Sequence, residues 1–441
     1  MVPKKAPLVG LALLAVLASA GVAATRRPAD GPLLRTITLG ADPGNVAVDG
    51  ATGHAFVVDR NTNGYAALGQ GTVSLVDTRA GRLLRTTPVG PDPREAVIDT
   101  RNGHVLVAND DNASVSILDA RSGRSLGAVR VGSHPHSMAV DARAGRAFVV
   151  NSGDGSVSVL DTRRTVVLGA VHLAGDFALS GVAVDERAGR VFVGDTGGGA
   201  GLVHVLDAHL GADPHAAIRG AARATTIRPY ATGSYATGSY ATGSYATGSY
   251  ATGSYAAGSY ATGSYAAGSY AAGSYLSSLD RMDHMVVDST PVTGAPDGRV
   301  FATNGAGLSV LDARGGQILR TIPVRGAASA VAVDQSRHRV YVTSIDGVDG
   351  NGSPAGPGRL TVLDELDGRV LRTVDAGMTP RAVAVDAGTG HVVVVDEGGS
   401  MAIPNAWAWV PQAIRQRVPF LNSPVRTRAV PAGISVLDMD R

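Results

Sequence analysis

The 441-residue sequence has no cysteine, so disulfides, thiolate metal sites and a cysteine-linked lipid anchor are excluded. Lysine is confined to Lys4 and Lys5, leaving 37 of the 39 basic residues as arginine. Tryptophan occurs only at Trp407 and Trp409, and neither follows a repeat, which argues against a WD40 array. Gly-x-Ser-x-Gly, P-loop and His-Glu-x-x-His strings are missing, and with them the local signatures of serine hydrolases, nucleotide hydrolases and zinc peptidases. Long apolar runs are also absent, with one exception. Residues 6–24 follow the two lysines and offer small residues at Ala18-Ser19-Ala20 and Val22-Ala23-Ala24 for a signal peptidase. Residues 1–24 are therefore expected to be a signal peptide. An uncleaved anchor is the rival, because the run is about long enough to span a bilayer and Arg26 and Arg27 follow it. Both readings put the folded part outside the cytoplasm, secreted or associated with the cell envelope. Beyond residue 24 stand 37 arginines and 37 acids, a balance that argues against nucleic acid as a partner.

The rest of the chain is repetition. "VAVDGATGHAFVVD" (46–59) returns at 96–109, 138–151, 182–195, 285–304, 331–344 and 383–396. Each copy is a period-2 apolar run, a turn opened by Asp and containing Gly in most copies, and a second apolar run, which spells a β-hairpin. Asp bonds its own backbone two residues on, and Gly supplies the left-handed turn position. A third run ends at Asp77, Asp119, Asp161, Asp207, Asp312, Asp364 and Asp438, as in "GTVSLVD" and "GISVLD". A fourth follows most of them, as in "GRLLRTTPVG" (81–90). Four short strands every 42–52 residues is the period of a propeller blade. The last repeat has no fourth strand, whereas "LLRTITLG" (33–40) is a fourth-type strand without a repeat. Pairing the two leaves no open seam. The fold class expected is all-β, one seven-bladed β-propeller over residues 33–441, with the N-terminal strand closing the last blade.

The strings "GRAFVVNSGDGSVSVLD" and "HRVYVTSIDG", with the preceding "VGSHPHSMAVD" loop, resemble the YVTN-repeat β-propellers, a group of YncE-like, surface-layer-like secreted proteins. The resemblance implies export and a binding or scaffolding role, and it brings no shared catalytic motif.

Two insertions interrupt the repeat. Residues 230–275 are low-complexity sequence, nine units of Ala-Thr/Ala-Gly-Ser-Tyr from Ala231 to Tyr275, which cannot bury a core and read as a tolerated flexible linker. They leave "RATTIRP" (223–229) as the candidate outer strand of the fourth blade. Residues 397–432 are a long loop in the seventh blade and carry both tryptophans. With the long loops at 60–71 and 345–358, this one should wall off one side of the face where propellers commonly bind ligands. That face collects the candidate binding residues: Asn61, Tyr65, Arg94, Glu95, His134, His136, Asp346, Asp349, Trp407 and Trp409.

His134 and His136, in "SHPHS" (133–137), could hold a metal or act as acid and base, yet no third ligand is identifiable. Asp349, Asn351 and Ser353 are spaced like the start of a calcium loop, but Pro354 stands where Gly is needed and no Glu closes it. The recurring Asp residues read as turn caps. His54, His104 and His391 share a repeat position with Arg146, Arg190 and Arg339 and read as surface residues. No cofactor and no catalytic residue is assigned, calcium or another divalent metal remaining open. The expected function is a monomeric, non-enzymatic binding propeller for a protein, peptide or cell-envelope polymer. Membrane contact would come only through an uncleaved anchor or the Trp407/Trp409 loop. A lactonase-like or lyase-like enzyme with metal at the channel mouth is the first alternative, and a nucleic-acid-binding propeller the second.

Overall fold

The computed structural model describes residues 33–39, 42–60, 70–173, 179–196, 201–208, 223–227, 284–289, 298–346, 357–403 and 426–440. Every regular element among these residues is a β-strand. The strands form four-stranded antiparallel units in chain order. Unit 1 comprises Pro43–Asp49, His54–Asp59, Gln70–Asp77 and Arg82–Pro91. Unit 2 comprises Pro93–Asp99, His104–Asn109, Ser114–Asp119 and Ser125–Arg130. Unit 3 is Pro135–Asp141, Arg146–Asn151, Ser156–Asp161 and Val166–His172. Unit 4 is Leu179–Asp185, Arg190–Asp195, Gly201–Asp207 and Arg223–Ile227, so the outer strand falls within the segment expected for it.

A seven-stranded sheet follows, made of two such units that share one long strand. Unit 5 is Met285–Asp288, Arg299–Thr303, Gly305–Asp312 and the first part of Ile318–Asp334. Unit 6 takes the remainder of that strand, then Arg339–Ile345, Arg359–Asp364 and Val370–Asp375. Gly326, at φ 84°, marks the crossing, where a β-carbon would lie 2.4 Å from the Ile345 carbonyl oxygen. Unit 7 joins the two ends of the chain. Pro380–Asp386, His391–Asp396 and Gly433–Asp438 are completed by Leu33–Thr38, with Ile37 opposite Ile434 and Thr38 opposite Gly433. This is the pairing that the unmatched N-terminal strand predicts. Between the second and third strands of unit 7, Gly399–Ile403 pairs with Arg426–Val430. The stretch read as one loop over 397–432 thus begins and ends as a separate ribbon.

Burial explains the strand composition. The second strands are apolar without alternation, and in unit 1 Ala55, Phe56, Val57 and Val58 are all fully buried. Both faces of such a strand are covered, so an apolar residue is favoured at each position. The covering surfaces belong to neighbouring units. Val150 and Val157 of unit 3 pack with Val191 and Leu206 of unit 4. Ile434 and Val393 of unit 7 pack with Val46 and Ala55 of unit 1. Comparable clusters lie at the remaining junctions between successive units. First strands lie beside first strands from unit to unit, and Pro380–Asp386 lies beside Pro43–Asp49. Fourth strands have an open edge, and Leu83, Leu126 and Val370 there are about half exposed.

Each first strand ends at the Asp that opens the turn. Asp49 accepts the Ala51 N–H at 3.0 Å and the Thr52 hydroxyl at 2.8 Å, and Gly53, at φ 75°, closes the turn onto the Asp49 carbonyl. Asp99, Asp141, Asp185, Asp334 and Asp386 accept backbone N–H groups the same way. These acids are turn caps, as the sequence suggests.

Candidate functional site

The opposite, leading end of the first strands is where the units differ. In unit 2, Pro93 pairs with Asn109 and Glu95 with Ala108, so Arg94 is the extra residue of a β-bulge. His136 is the extra residue of unit 3, Ser329 of unit 6 and Arg381 of unit 7. All four stand five residues ahead of the turn-opening Asp. A bulge re-aims its side chain off the two-residue alternation. The strand pattern therefore continues while these side chains are released from the packing between sheets.

Two of them enter a network of ion pairs. Arg94 reaches Asp92 through Nη2 at 2.6 Å and Asp110 through Nε at 2.9 Å. Asp110 also accepts His134 Nδ1 at 2.6 Å. Arg381 Nε donates to Glu397 at 2.6 Å, and Glu397 accepts Arg60 Nη2 at 3.0 Å, which also reaches Asp42 at 3.1 Å. Burial pushes the Asp92 carboxyl up, against the pull of Arg94 and of Arg60 across the unit boundary. Units 7, 1, 2 and 3 thus carry one arc of alternating charge, each guanidinium held by two contacts or by a shared carboxylate.

One residue closer to the turn, side chains bridge the first strands. Asn45 accepts the Ala96 N–H at 3.1 Å, Glu95 accepts the Met138 N–H at 2.7 Å and Ser137 accepts the Val182 N–H at 3.2 Å. These N–H groups lie on the edge of each first strand that faces away from its own sheet, toward the place where first strands meet. Glu95 keeps a small accessible surface on that open edge. Protein nevertheless surrounds it, and burial pushes its pKa up to about 7, although Met138 and Ser137 bond to its ionised form. His284 occupies the same position in unit 5, four residues ahead of Asp288. Burial first, and then the charge of His136, bring its pKa down to about 4, so its imidazole is neutral at physiological pH.

The structure sorts the expected site residues. Arg94, Glu95 and His136 gather where the first strands begin. His134 does not join His136. It adopts φ 51°, exposes most of its side chain and binds Asp110, because the bulge sends only His136 inward. Among the described residues no group of three or more His, Asp or Glu side chains is arranged to hold a metal ion. Asp346 is held by Arg359, whose Nε at 2.9 Å and Nη2 at 2.7 Å both donate to Oδ2, and this contact keeps its carboxyl below the usual range. Asn61, Tyr65, Asp349, Trp407 and Trp409 lie outside the described residues, as do residues 230–275.

The residues at the repeat position of His54, His104 and His391 require a correction. His104 and the arginines of that position are not plain surface groups, whereas the Nδ1 atoms of His54 and His391 are buried without a hydrogen-bond partner. His104 Nδ1 donates to the Thr162 carbonyl at 2.9 Å, Arg146 to Ala208 at 2.8 Å, Arg190 to Ala313 at 3.0 Å and Arg339 to Met439 at 3.4 Å. Each latches one unit to the next, at the carbonyl just after that unit's third-strand Asp. Arg299 makes the same contact to Glu365 and is buried with it.

Asp92, Asp110, Arg381, Glu397 and His284 were not singled out from sequence. Aligning the repeats on the turn-opening Asp exposes Arg381 and His284, which fall at the register positions of Arg94 and Glu95. Asp92, Asp110 and Glu397 flank the strands and gain meaning only through their partners.

No family model and no curated protein matches the chain. Among solved structures it is similar to a chain of Kuenenia stuttgartiensis hydrazine synthase, with a TM-score of 0.53 and 14% identity. The match covers 85% of this chain and 96% of that one, a likeness of fold between chains of very different sequence.

Proposed function

We propose that the protein is an exported, non-enzymatic β-propeller of seven blades, akin to the YVTN-repeat group. In this reading it binds a protein partner through the leading end of its first strands. The seven units are the blades, the junction clusters are the packing between them, and Leu33–Thr38 removes the open edge of the last blade. The apolar segment at residues 6–24 directs the chain out of the cytoplasm.

One observation carries the binding role. The bulges place Arg94, His136 and Arg381 at one end, where Arg94 and Arg381 join an ion-pair arc that spans four consecutive units. Side chains already held by neighbours lose little freedom when a partner docks, so the surface is preorganised. Its charges come in pairs, which suits a partner of mixed polarity better than a polyanion. The test is capture of the partner by the immobilised, full-length protein. Arg94→Ala combined with Arg381→Ala should weaken capture by about tenfold or more while the melting temperature moves by only a few degrees. Undiminished capture by the folded double variant would place the binding surface elsewhere.

A further inference from the structure

Building on that reading, we infer that Glu95, with Ser137 beside it, receives a cationic side chain of the partner, a lysine ammonium or an arginine guanidinium. Among the described residues no cation pairs with Glu95. Arg94 is taken by Asp92 and Asp110, Arg381 and Arg60 by Glu397, and Asp346 by Arg359. The Glu95 carboxyl is met by the Met138 N–H at 2.7 Å and by the Ser137 hydroxyl, and by no cation.

A carboxylate has about four acceptor sites, so these two donors leave lone pairs free for a guanidinium or an ammonium. An enclosed carboxylate without a counter-charge is costly to ionise, which its raised pKa records. A cation entering from the partner removes that cost, whereas an anion would add to it. Room follows from composition. At the register of Glu95, units 4, 6 and 7 carry Gly181, Ala330 and Ala382, which extend no side chain beyond Cβ.

Met138 and Ser137 of unit 3 meet Glu95, His136 precedes them on that strand, Asn45 of unit 1 bonds the adjoining Ala96, and Arg94 adjoins it on its own strand. Binding of a cation should strengthen as pH rises through about 7 and the Glu95 carboxyl ionises.

The experiment titrates the full-length protein with N-acetyl-lysine amide and N-acetyl-arginine amide, with N-acetyl-norleucine amide as the uncharged control, by NMR at pH 6 and pH 8. The cationic probes should perturb resonances of the first strands of units 2 and 3, about tenfold more tightly at pH 8. Glu95→Gln, which keeps an acceptor for the Met138 N–H, should abolish that gain and weaken both probes by about tenfold or more. Equal binding by the wild type and Glu95→Gln, or binding of norleucine amide as tight as lysine amide, would overturn the proposal. So would the absence of binding by either cation. Cation binding lost in Glu95→Gln, together with partner capture that survives Arg94→Ala/Arg381→Ala, would leave this site standing and refute the broader binding surface.

Discussion

The two ends of the first strands are built from the same repeat and solve different problems. At the turn end one device recurs. An Asp caps its turn, and a His or Arg two to three positions beyond the turn's centre reaches the next unit's carbonyl, as Arg146 reaches Ala208 and Arg190 reaches Ala313. At the leading end one register position is occupied by Gly44, Arg94, His136, Ser180, Ser329 and Arg381, four residue types in six units. The difference follows from the partner. A latch aimed at a backbone carbonyl finds the same kind of target in units 2 to 6, so a long donor, His104 or an arginine, serves in each. A side chain freed by a bulge has no such fixed target, and its neighbour's side chain decides what it does. Uniform sequence marks the assembly of the units, and divergent sequence marks the surface available for recognition.

The comparison is sharpest at the one latch that has gone underground. Arg299 is 3% exposed and bonds Asp288 at 3.2 Å and Glu365 at 2.5 Å, with its guanidinium over the Phe301 ring at 5.4 Å. Arg299→Ala would strand two buried carboxylates, and urea denaturation should show a loss of about 3–5 kcal/mol. A loss no larger than that of an ordinary latch variant would mean that the buried cluster contributes nothing special.

The second effect is a pH dependence. Burial, reinforced by the Asp288 carboxyl, raises the Glu365 pKa in the folded protein, against the pull of His338 and Arg299. A raised acid binds its proton more tightly when folded, so its stabilising contribution is complete below the unfolded value and is lost as pH rises through the folded one. Melting temperature should therefore fall between pH 5 and pH 8, and Glu365→Gln should flatten that fall. An unchanged slope in the variant would assign the pH dependence to another group, Glu95 first among them.

The smaller effects separate the two ends directly. Arg146→Ala removes a half-buried latch that hydrogen-bonds the Ala208 carbonyl, and about 1 kcal/mol should be lost. Arg94→Ala removes ion pairs from a side chain that is 30% exposed, and the loss should be no more than about 1 kcal/mol. Chemical denaturation of both variants checks the ranking. If Arg94→Ala costs clearly more than Arg146→Ala, the leading end is also structural, and the division between assembly and recognition fails.

How much of this was legible in the sequence depends on how local the cause is. Turns at Asp49, Asp99 and Asp386 are caused by residues within three positions of one another, so Asp and Gly announce them. The alternating and continuous apolar runs announce the strands, because burial of both faces acts on every residue of the run. Even the pairing of Leu33–Thr38 with Gly433–Asp438 could be deduced, since a surplus strand and a missing one must meet if no edge is to stay open. The bulges could not be read, because an extra residue leaves the apolar pattern on either side intact and shows itself only in the register against the second strand. For the same reason His134 and His136, two residues apart, go to different places, and His284 comes under the charge of His136 across more than one hundred residues of sequence. Local chemistry determined the strands and turns. Which side chains face one another was decided when the units packed, because those distances and the burial that sets the Glu95 and His284 pKa values exist only in the folded chain.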